Sequence, residues 1–196
     1  MVLKEPGIIV GVSNRHLHLS QHDLEVLFGA GHTLTPTKPL GQPGQFACEE
    51  TVSLVGPKGS IEGVRVLGPV RKDTQVEVSK TDSFKLGVNP PVRDSGDVAG
   101  SPGLKLVGPV GEVELKQGVI IAKRHIHMFT DDAVHYGVKD KDYVSVMCET
   151  HDRKLIFQDV LIRVSEKFAL EFHVDIDEAN AALLKTGDKI KIIEKF

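Results

Sequence analysis

The chain has 196 residues, a formal net charge of −3 at pH 7, 5% aromatic residues and no tryptophan. This mildly acidic composition argues against a nucleic-acid-binding protein, which usually carries a basic surface. No apolar run approaches the roughly 20 residues of a membrane-spanning helix, residues 1–7 lack a signal-peptide core, and two cysteines are too few for a disulfide framework. We therefore expect a cytoplasmic protein of one large or two small domains.

The first elements along the chain are a strand, a histidine phrase and a short helix. The apolar run Ile8–Val12 is typical of a strand and leads to Arg-His-Leu-His-Leu at residues 15–19. Ser20 as N-cap, Asp23 three residues later and Gly29 as terminator predict a short helix after the phrase.

Most of the following chain alternates between apolar and polar residues, which is typical of short strands separated by tight Gly-Pro turns. Such patterns cover residues 50–54, 63–67 and 74–80, and Leu-Val-Gly-Pro at residues 106–109 repeats the Gly-Pro turn. In the third of them, Gln75, Glu77 and Ser79 share a face. The segment 89–103 is rich in Pro, Gly, Ser and Asp, and it predicts either a linker or an ordered loop over a site.

The second half repeats the opening order. Residues 119–122 are a strand candidate, residues 124–128 read Arg-His-Ile-His-Met, and Thr130 as N-cap with Gly137 as terminator predicts a second short helix. Further strands are predicted at 143–147, 155–164, 169–174 and 189–193, and a helix over 176–184 with Asp175 or Asp177 as its N-cap.

Many short strands with few helices indicate a mainly β protein made of two small β-barrel domains related by an internal repeat. The first histidines of the two phrases are 125 − 16 = 109 residues apart. We predict a first barrel over residues 1–110 and a second over 111–196, each containing one phrase. Whether the first strand crosses between the barrels stays open.

The duplicated phrase is the main indication of function. On a strand, His16 and His18 point to one face, as do His125 and His127, while the apolar residue between them is buried. Two imidazoles on one face are half of a metal site. The duplication therefore favours either two metal ions or one site assembled from both halves.

Each half also offers a third ligand. Glu77 lies on an alternating strand of the first half, and His173 lies on a strand of the second. Glu171 shares a strand face with His173 and is a candidate to orient it. Imidazole and carboxylate ligands favour zinc, and three protein ligands leave a coordination position open.

The remaining candidates have weaker contexts. Three arginines could hold phosphate through paired donors, although a lone arginine is more often an ordinary surface residue; they are Arg15, Arg71 and Arg124. Cys48 and Cys148 lie in no histidine-paired motif and are interpreted as buried structural thiols. The other histidines considered are interpreted as surface or helix residues: His22, His32, His135 and His151.

Four segments of the chain carry a family resemblance: residues 11–20, 38–40, 65–69 and 124–128. They resemble the PduL-type phosphate acyltransferases, or phosphate propanoyltransferases, over essentially the whole chain. The resemblance implies two β-barrel domains that share a dinuclear zinc site. It also implies a reaction in which acyl-CoA and phosphate give acyl phosphate and coenzyme A.

The resemblance assigns roles by motif. One zinc ion would be held by His16, His18 and Glu77, and the other by His125, His127 and His173. Arg71 would bind phosphate. The coenzyme A contacts would be Ser13, Lys38, Arg65, Leu67 and Asn180.

We expect direct, reversible phosphorolysis of propanoyl-CoA or acetyl-CoA, in propanediol degradation or in acetate and propanoate metabolism. Zinc would polarise the thioester carbonyl or stabilise the departing thiolate, while Arg71 would hold phosphate for in-line attack. Two alternatives stay open: a dinuclear metallohydrolase that needs no phosphate, and a zinc-stabilised binding module without turnover. A covalent acyl-cysteine intermediate is the less favoured route.

The resemblance also implies a homodimer. Family members packaged in bacterial microcompartments carry an N-terminal amphipathic extension. Because the first strand is expected to begin near Gly7, we expect no such extension here, and either a cytoplasmic enzyme or a chain trimmed at its N-terminus.

Overall fold

The computed structural model describes residues 7–195. Within them the protein is mainly β with four short helices, none long and apolar enough to cross a membrane. The helices are α1 (Gln21–Phe28), α2 (Lys80–Leu86), α3 (Thr130–Tyr136) and α4 (Ile176–Ala182). The strands are β1 (Ile8–Ser13), β2 (His16–His18), β3 (Pro36–Pro39), β4 (Phe46–Val55), β5 (Ser60–Gly68), β6 (Gln75–Glu77), β7 (Val92–Arg93), β8 (Lys105–Val107), β9 (Glu112–Glu114), β10 (Val119–Ala122), β11 (His125–Met128), β12 (Tyr143–Cys148), β13 (Leu155–Val164), β14 (Glu171–Asp175) and β15 (Lys189–Lys195).

Six strands form a closed barrel in the order β1-β14-β11-β13-β12-β15. The ring closes because β1 pairs with β14 on one side and with β15 on the other. Alternate residues point inward and fill the barrel, among them Val10, Ile126, Ile162 and Phe172, each 0% exposed.

The other strands form a nine-stranded sheet in the described part of the chain. Its order is β7-β10-β6-β2-β5-β4-β8-β9, with β3 added beside β4, and it curls into a half-barrel. Its concave core holds buried residues such as Leu17, Leu54, Val66 and Val76. The prediction of a mainly β protein with small barrel domains is confirmed.

Two compact units correspond to these two sheets. Of the described residues, 7–13, 41–43 and 123–195 make up the barrel unit, and 14–40 and 44–122 make up the half-barrel unit. The half-barrel unit extends to Ala122 because β10 pairs with β6 and β7 of that sheet. The division at residue 110 stays a prediction about separate domains.

The internal repeat is visible in the strand pairing. The histidine strand β2 lies between β5, which is parallel to it, and β6, which is antiparallel. In the barrel, β11 lies in the same way between β13 and β14. Each antiparallel neighbour then leads into a short helix, α2 or α4.

Helix α2 departs from the strand pattern predicted over residues 74–80. Ser79 is the N-cap: its hydroxyl accepts from the Asp82 N–H at 3.2 Å, and the Asp82 carboxylate accepts from the Ser79 N–H at 3.3 Å. This capping box ends the strand early. The predicted cap at Thr130 is wrong as well, because Phe129 is the N-cap of α3 and Thr130 is the first helical residue.

The segment 89–103 is an ordered loop rather than a linker. Its strand β7 pairs with β10, with Val92 opposite Ile121. The Gly96 N–H donates to Gln75 Oε1 at 2.7 Å. The strand pairing attaches the loop to β10, and the Gly96 bond attaches it to β6, the strand that carries Glu77.

Candidate metal centres and substrate-binding residues

Strand register places a third ligand candidate beside each histidine phrase. On β2, His16 lies opposite Glu77 of β6, and on β11, His125 lies opposite His173 of β14. Residues opposite each other on antiparallel strands have Cβ atoms about 5 Å apart. The same pairing therefore gathers three ligand-bearing side chains in each unit.

The six predicted ligands form two groups, in each of which the three donor atoms lie within 4.8 Å of one another. The first cluster, in the half-barrel, consists of His16, His18 and Glu77. The second cluster, in the barrel, consists of His125, His127 and His173.

The first histidine of each phrase is oriented by a backbone carbonyl. His16 Nδ1 lies 2.8 Å from the Asn14 carbonyl oxygen, and His125 Nδ1 lies 2.8 Å from that of Lys123. A carbonyl only accepts, so Nδ1 carries a proton and Nε2 is the ring nitrogen left to face the cluster. His16 Nε2 lies 3.4 Å from Glu77 Oε2, the neighbouring donor atom of the cluster.

The second histidine of each phrase is buried with an unsatisfied nitrogen. His18 Nδ1 and His127 Nδ1 have no hydrogen-bond partner in the described structure. Burial and the nearby Arg71 guanidinium lower the pKa of His18 to about 3. Burial and the neighbouring imidazoles lower the pKa of His127 to about 2. Both rings are neutral near pH 7, with a buried lone pair for which a metal ion is a suitable partner.

The donor sets therefore fit a first-row divalent metal ion. The first cluster supplies two imidazoles and a carboxylate, and the second supplies three imidazoles. Three protein ligands are typical of catalytic zinc sites, in which the fourth position receives water or substrate.

Glu77 is oriented by two further side chains. Its Oε1 accepts from Gln75 Nε2 at 2.6 Å and from the Ser95 hydroxyl at 2.9 Å. Oε2 is the atom nearest His16. Burial alone would raise the pKa of Glu77, but the imidazoles of His16 and His18 and the Ser95 bond outweigh it, so the pKa is lowered and the carboxylate is ionised.

Arg71 lies beside the first cluster. Its Nη1 donates to Ser95 Oγ at 3.1 Å, and its backbone N–H donates to the Leu19 carbonyl at 2.9 Å. Its charge contributes to the lowered pKa of His18. A guanidinium at this place can offer donors to an anion that approaches the cluster.

The arginines that open the two phrases have a different role. Arg15 Nε lies 2.9 Å from both carboxylate oxygens of Asp82, and Arg124 Nη1 lies 2.7 Å from Glu178 Oε1. Both acids lie in the first turn of a helix, α2 or α4. Each arginine thus ties a histidine strand to the helix that follows the third ligand.

Three of the predicted coenzyme A contacts lie on neighbouring strands of the half-barrel. Lys38 on β3 is opposite Ala47 of β4, which in turn is opposite Leu67 of β5. Arg65 lies two residues earlier on β5, and its Nη1 donates to the Cys48 carbonyl at 2.8 Å. Lys38 and Arg65 are both exposed, so their charges are accessible to a ligand.

The other two predicted contacts belong to the barrel unit. Ser13 ends β1 opposite Asp175, which is the N-cap of α4. Asn180 is exposed on α4. The two residues therefore lie on elements that meet at Asp175, and their contact with coenzyme A stays a prediction.

Glu171 is held beside the second cluster. Its Oε2 lies 3.0 Å from His173 Nε2 and accepts from Gln42 Nε2 at 2.9 Å. A Cβ at Gly11 or Gly41 would lie within 2.6 Å of a carboxylate oxygen of Glu171, so a side chain at either position would displace the carboxylate. The pKa of Glu171 is lowered, because its close approach to His173 and its hydrogen bond from Gln42 outweigh the opposing effect of burial. Gln42, which is distant in sequence, carried no signal of this contact.

Both cysteines are buried, as predicted. Cys48 and Cys148 are 0% exposed, and burial raises the pKa of each thiol to about 11. Thiolate is therefore scarce at neutral pH, which disfavours nucleophilic catalysis. Three of the remaining histidines are exposed: His22, His135 and His151.

His32 instead contacts a buried acid. Its Nε2 lies 2.8 Å from Glu50 Oε1, and the same carboxylate accepts from the Thr35 N–H at 3.0 Å and from the Thr35 hydroxyl at 3.0 Å. Burial raises the pKa of Glu50, but these bonds outweigh it and the pKa is lowered. The interaction joins the segment that follows α1 to strand β4 of the half-barrel.

A model of the phosphate propanoyltransferase family matches residues 9–185. The chain belongs to this family. It is 68% identical to a phosphate propanoyltransferase of Thermotoga maritima over 194 residues, which cover 99% of this chain and 92% of the relative. It is also 59% identical to one of Priestia megaterium over 91% of this chain and 82% of the relative, and 53% identical to one of Salmonella typhimurium over 92% and 85%.

Membership of the phosphate propanoyltransferase family confirms the resemblance seen in the sequence and makes the protein an acyltransferase. Family membership therefore favours the acyltransferase prediction over the two alternatives, the metallohydrolase and the binding module.

Proposed function

We propose that the protein is a zinc-dependent phosphate acyltransferase. It converts propanoyl-CoA or acetyl-CoA and inorganic phosphate, reversibly, to acyl phosphate and coenzyme A. The observation that carries the proposal is the pair of three-residue clusters at equivalent places of the internal repeat, in a chain of the phosphate propanoyltransferase family.

Each cluster would hold one zinc ion. The unsatisfied Nδ1 atoms of His18 and His127 support this assignment, because a buried polar atom without a partner is costly. A bound zinc ion supplies Lewis-acid stabilisation to the thioester carbonyl oxygen or the departing thiolate.

Arg71 binds phosphate. Its position beside the first cluster supports this role, and a guanidinium matches phosphate through two parallel donors. The positive charge also offsets repulsion between the phosphate dianion and the oxyanion that develops on the substrate.

Five side chains are assigned to coenzyme A: Lys38, Arg65 and Asn180 are exposed, and Ser13 and Leu67 are partly exposed. Lys38 and Arg65 pair with its phosphates, since both are exposed cations on neighbouring strands. Leu67, on the same strand as Arg65, offers an apolar contact, while Ser13 and Asn180 of the barrel unit donate or accept hydrogen bonds.

The reaction is a direct phosphorolysis. A phosphate oxygen attacks the thioester carbonyl carbon, a carbon–oxygen bond forms, the carbon–sulfur bond breaks, and coenzyme A leaves as its thiolate. The raised pKa values of Cys48 and Cys148, and their burial, argue against an acyl-cysteine intermediate.

The test is release of coenzyme A thiol from propanoyl-CoA and acetyl-CoA, with and without phosphate, on protein whose zinc content has been measured. We expect about two zinc ions per chain, from three ligands in each cluster, and release that requires phosphate, disappears with a chelator and returns with zinc. Release without phosphate would instead identify a metallohydrolase, and no release with zinc bound would identify a binding module.

Arg71→Ala is expected to lower kcat/KM for phosphate by about 10- to 100-fold, the loss of a hydrogen bond between charged groups, at unchanged zinc content. The matched control is Arg153→Ala, which removes an exposed arginine of the barrel unit and should have no effect. Equal effects of the two variants would refute the role of Arg71.

The homodimer and the cytoplasmic location stay predictions, which sedimentation and cell fractionation can test.

A further inference from the structure

Ser95 occupies the centre of a hydrogen-bond network in the half-barrel. Its Oγ lies 2.9 Å from Glu77 Oε1, 2.9 Å from Gln75 Nε2 and 3.1 Å from Arg71 Nη1. It comes from the loop 89–103, whereas the other three residues lie on or before β6. One hydroxyl thus joins a predicted metal ligand to a predicted phosphate-binding group.

The direction of each bond follows from the chemistry of the partners. The amide nitrogen of Gln75 and the guanidinium nitrogen of Arg71 can only donate, so Ser95 Oγ accepts from both. The single hydroxyl proton of Ser95 is donated to Glu77 Oε1, which accepts it. The hydroxyl thereby uses its one donor and both of its acceptor positions.

This arrangement determines which oxygen of Glu77 faces the cluster. Ser95 and Gln75 both bind Oε1, while Oε2 is the atom 3.4 Å from His16 Nε2. The carboxylate is therefore prevented from rotating to exchange its two oxygens. Groups of this kind, which hold a ligand without touching the metal, change metal affinity by about 10- to 100-fold.

The same hydroxyl restrains Arg71. The bond from Nη1 to Ser95 restricts rotation of the guanidinium, and the bond from the Arg71 backbone N–H to the Leu19 carbonyl restrains its main chain. An arginine whose plane is already set loses less conformational entropy when it binds an anion.

We propose that Ser95 is a positioning residue for the acyl transfer, which aligns Glu77 toward the metal ion and Arg71 toward phosphate through one hydroxyl. The inference rests on the proposed function of those two residues. It predicts that metal affinity and phosphate binding depend on the same side chain, although that side chain belongs to a separate loop.

The first measurement is zinc affinity, by chelator competition in a His127→Ala background that weakens the second cluster. Ser95→Ala is expected to weaken zinc binding at the first cluster by about tenfold. Ser95→Thr keeps the hydroxyl and is expected to restore most of it, which separates the loss of the bond from a general disturbance of the loop.

The second measurement is steady-state kinetics of the zinc-loaded enzyme. Ser95→Ala should raise KM for phosphate by about tenfold, while KM for propanoyl-CoA changes by less than about twofold. The control is Ser101→Ala in the same loop, whose hydroxyl bonds only backbone groups, Val98 and Gly118, in the described structure. It should leave both zinc affinity and the ratio of the two KM values unchanged.

Two results would overturn the inference. The first is an unchanged zinc affinity in Ser95→Ala. The second is a rise of the KM for phosphate and the KM for propanoyl-CoA by the same factor, in Ser95→Ala and in Ser101→Ala alike. Glu77→Ala and Arg71→Ala distinguish this failure from failure of the proposed function. If those two variants impair zinc and phosphate binding but Ser95→Ala does not, only the role of Ser95 is wrong. If they too have no effect, the proposed site itself is wrong.

Discussion

Replacing Gly41 with alanine tests whether the Glu171 carboxylate is held in one place. A Cβ on Gly41 would lie 2.3 Å from Glu171 Oε2, 2.4 Å from Oε1 and 2.6 Å from Cδ. These distances are far inside the roughly 3.5 Å at which atoms of this size make favourable contact. The carboxylate therefore has to move by about 1 Å or leave its position.

The cost can be estimated from the contacts that such a movement breaks. Glu171 would lose its 2.9 Å bond from Gln42 and its 3.0 Å approach to His173. A hydrogen bond to a charged group contributes about 1.5–3 kcal/mol, so Gly41→Ala should lower the free energy of unfolding by about 2 kcal/mol. In a Glu171→Ala background the new methyl group has space, and the same change should cost less than about 0.5 kcal/mol.

The assay is urea unfolding of the four metal-free proteins of this double-mutant cycle, followed by far-UV circular dichroism. The control is Gly44→Ala: Gly44 has a φ of 75° and open space around its Cβ position, so its cost is due to the backbone alone. That cost should be the same with and without Glu171. The reasoning is refuted if Gly41→Ala is as costly in the Glu171→Ala background as in the native chain.

Three further predictions concern the two thiols, the first phrase arginine and a buried acid. Cys48→Ser and Cys148→Ser should retain full turnover, and iodoacetamide should label both thiols slowly in the folded protein, because burial raises each pKa to about 11; loss of turnover in either variant would reopen the acyl-cysteine route. Arg15→Ala should destabilise the protein by about 2–3 kcal/mol, since it leaves a buried carboxylate without its guanidinium partner, whereas the Arg15→Ala/Asp82→Ala double variant should recover part of the loss in thermal unfolding. The Glu50 carboxyl has a lowered pKa when folded, so its stabilising contribution is present above the unfolded value of about 4.5 and is lost as the pH falls through the folded pKa. Glu50→Gln should flatten this acid limb in unfolding measured between pH 3 and 6, and an unchanged limb would contradict the assignment.

Local periodicity allowed the ligand-bearing side chains to be predicted from the sequence. An HxH phrase after an apolar run places both imidazoles on one strand face whatever the strand pairs with. The third ligands could be selected for the same reason, because Glu77 and His173 lie on alternating strands. The structure groups all six as those patterns predicted.

The long-range partners could not be predicted in this way. Gln42 contacts Glu171 across 129 residues of sequence, and Ser95 contacts Glu77 from a loop without a regular pattern. Helix α2 was concealed because Val76 and Val78 continue a strand-like alternation up to its cap. Register, loop course and strand order depend on tertiary packing, which a local pattern does not contain.

The pairing of β1 has a consequence for biosynthesis. Among the described strands the ribosome makes β1 first, yet its barrel partners are β14 and β15, so Val10 meets Phe172 and Ile8 meets Ile190 only after all the intervening strands have been made. The half-barrel, in contrast, has all its strands once residue 122 has emerged. Such distant contacts make closure of the barrel entropically costly and slow. We therefore expect vectorial folding, in which the half-barrel forms on the nascent chain before β14 and β15 are available to pair with β1.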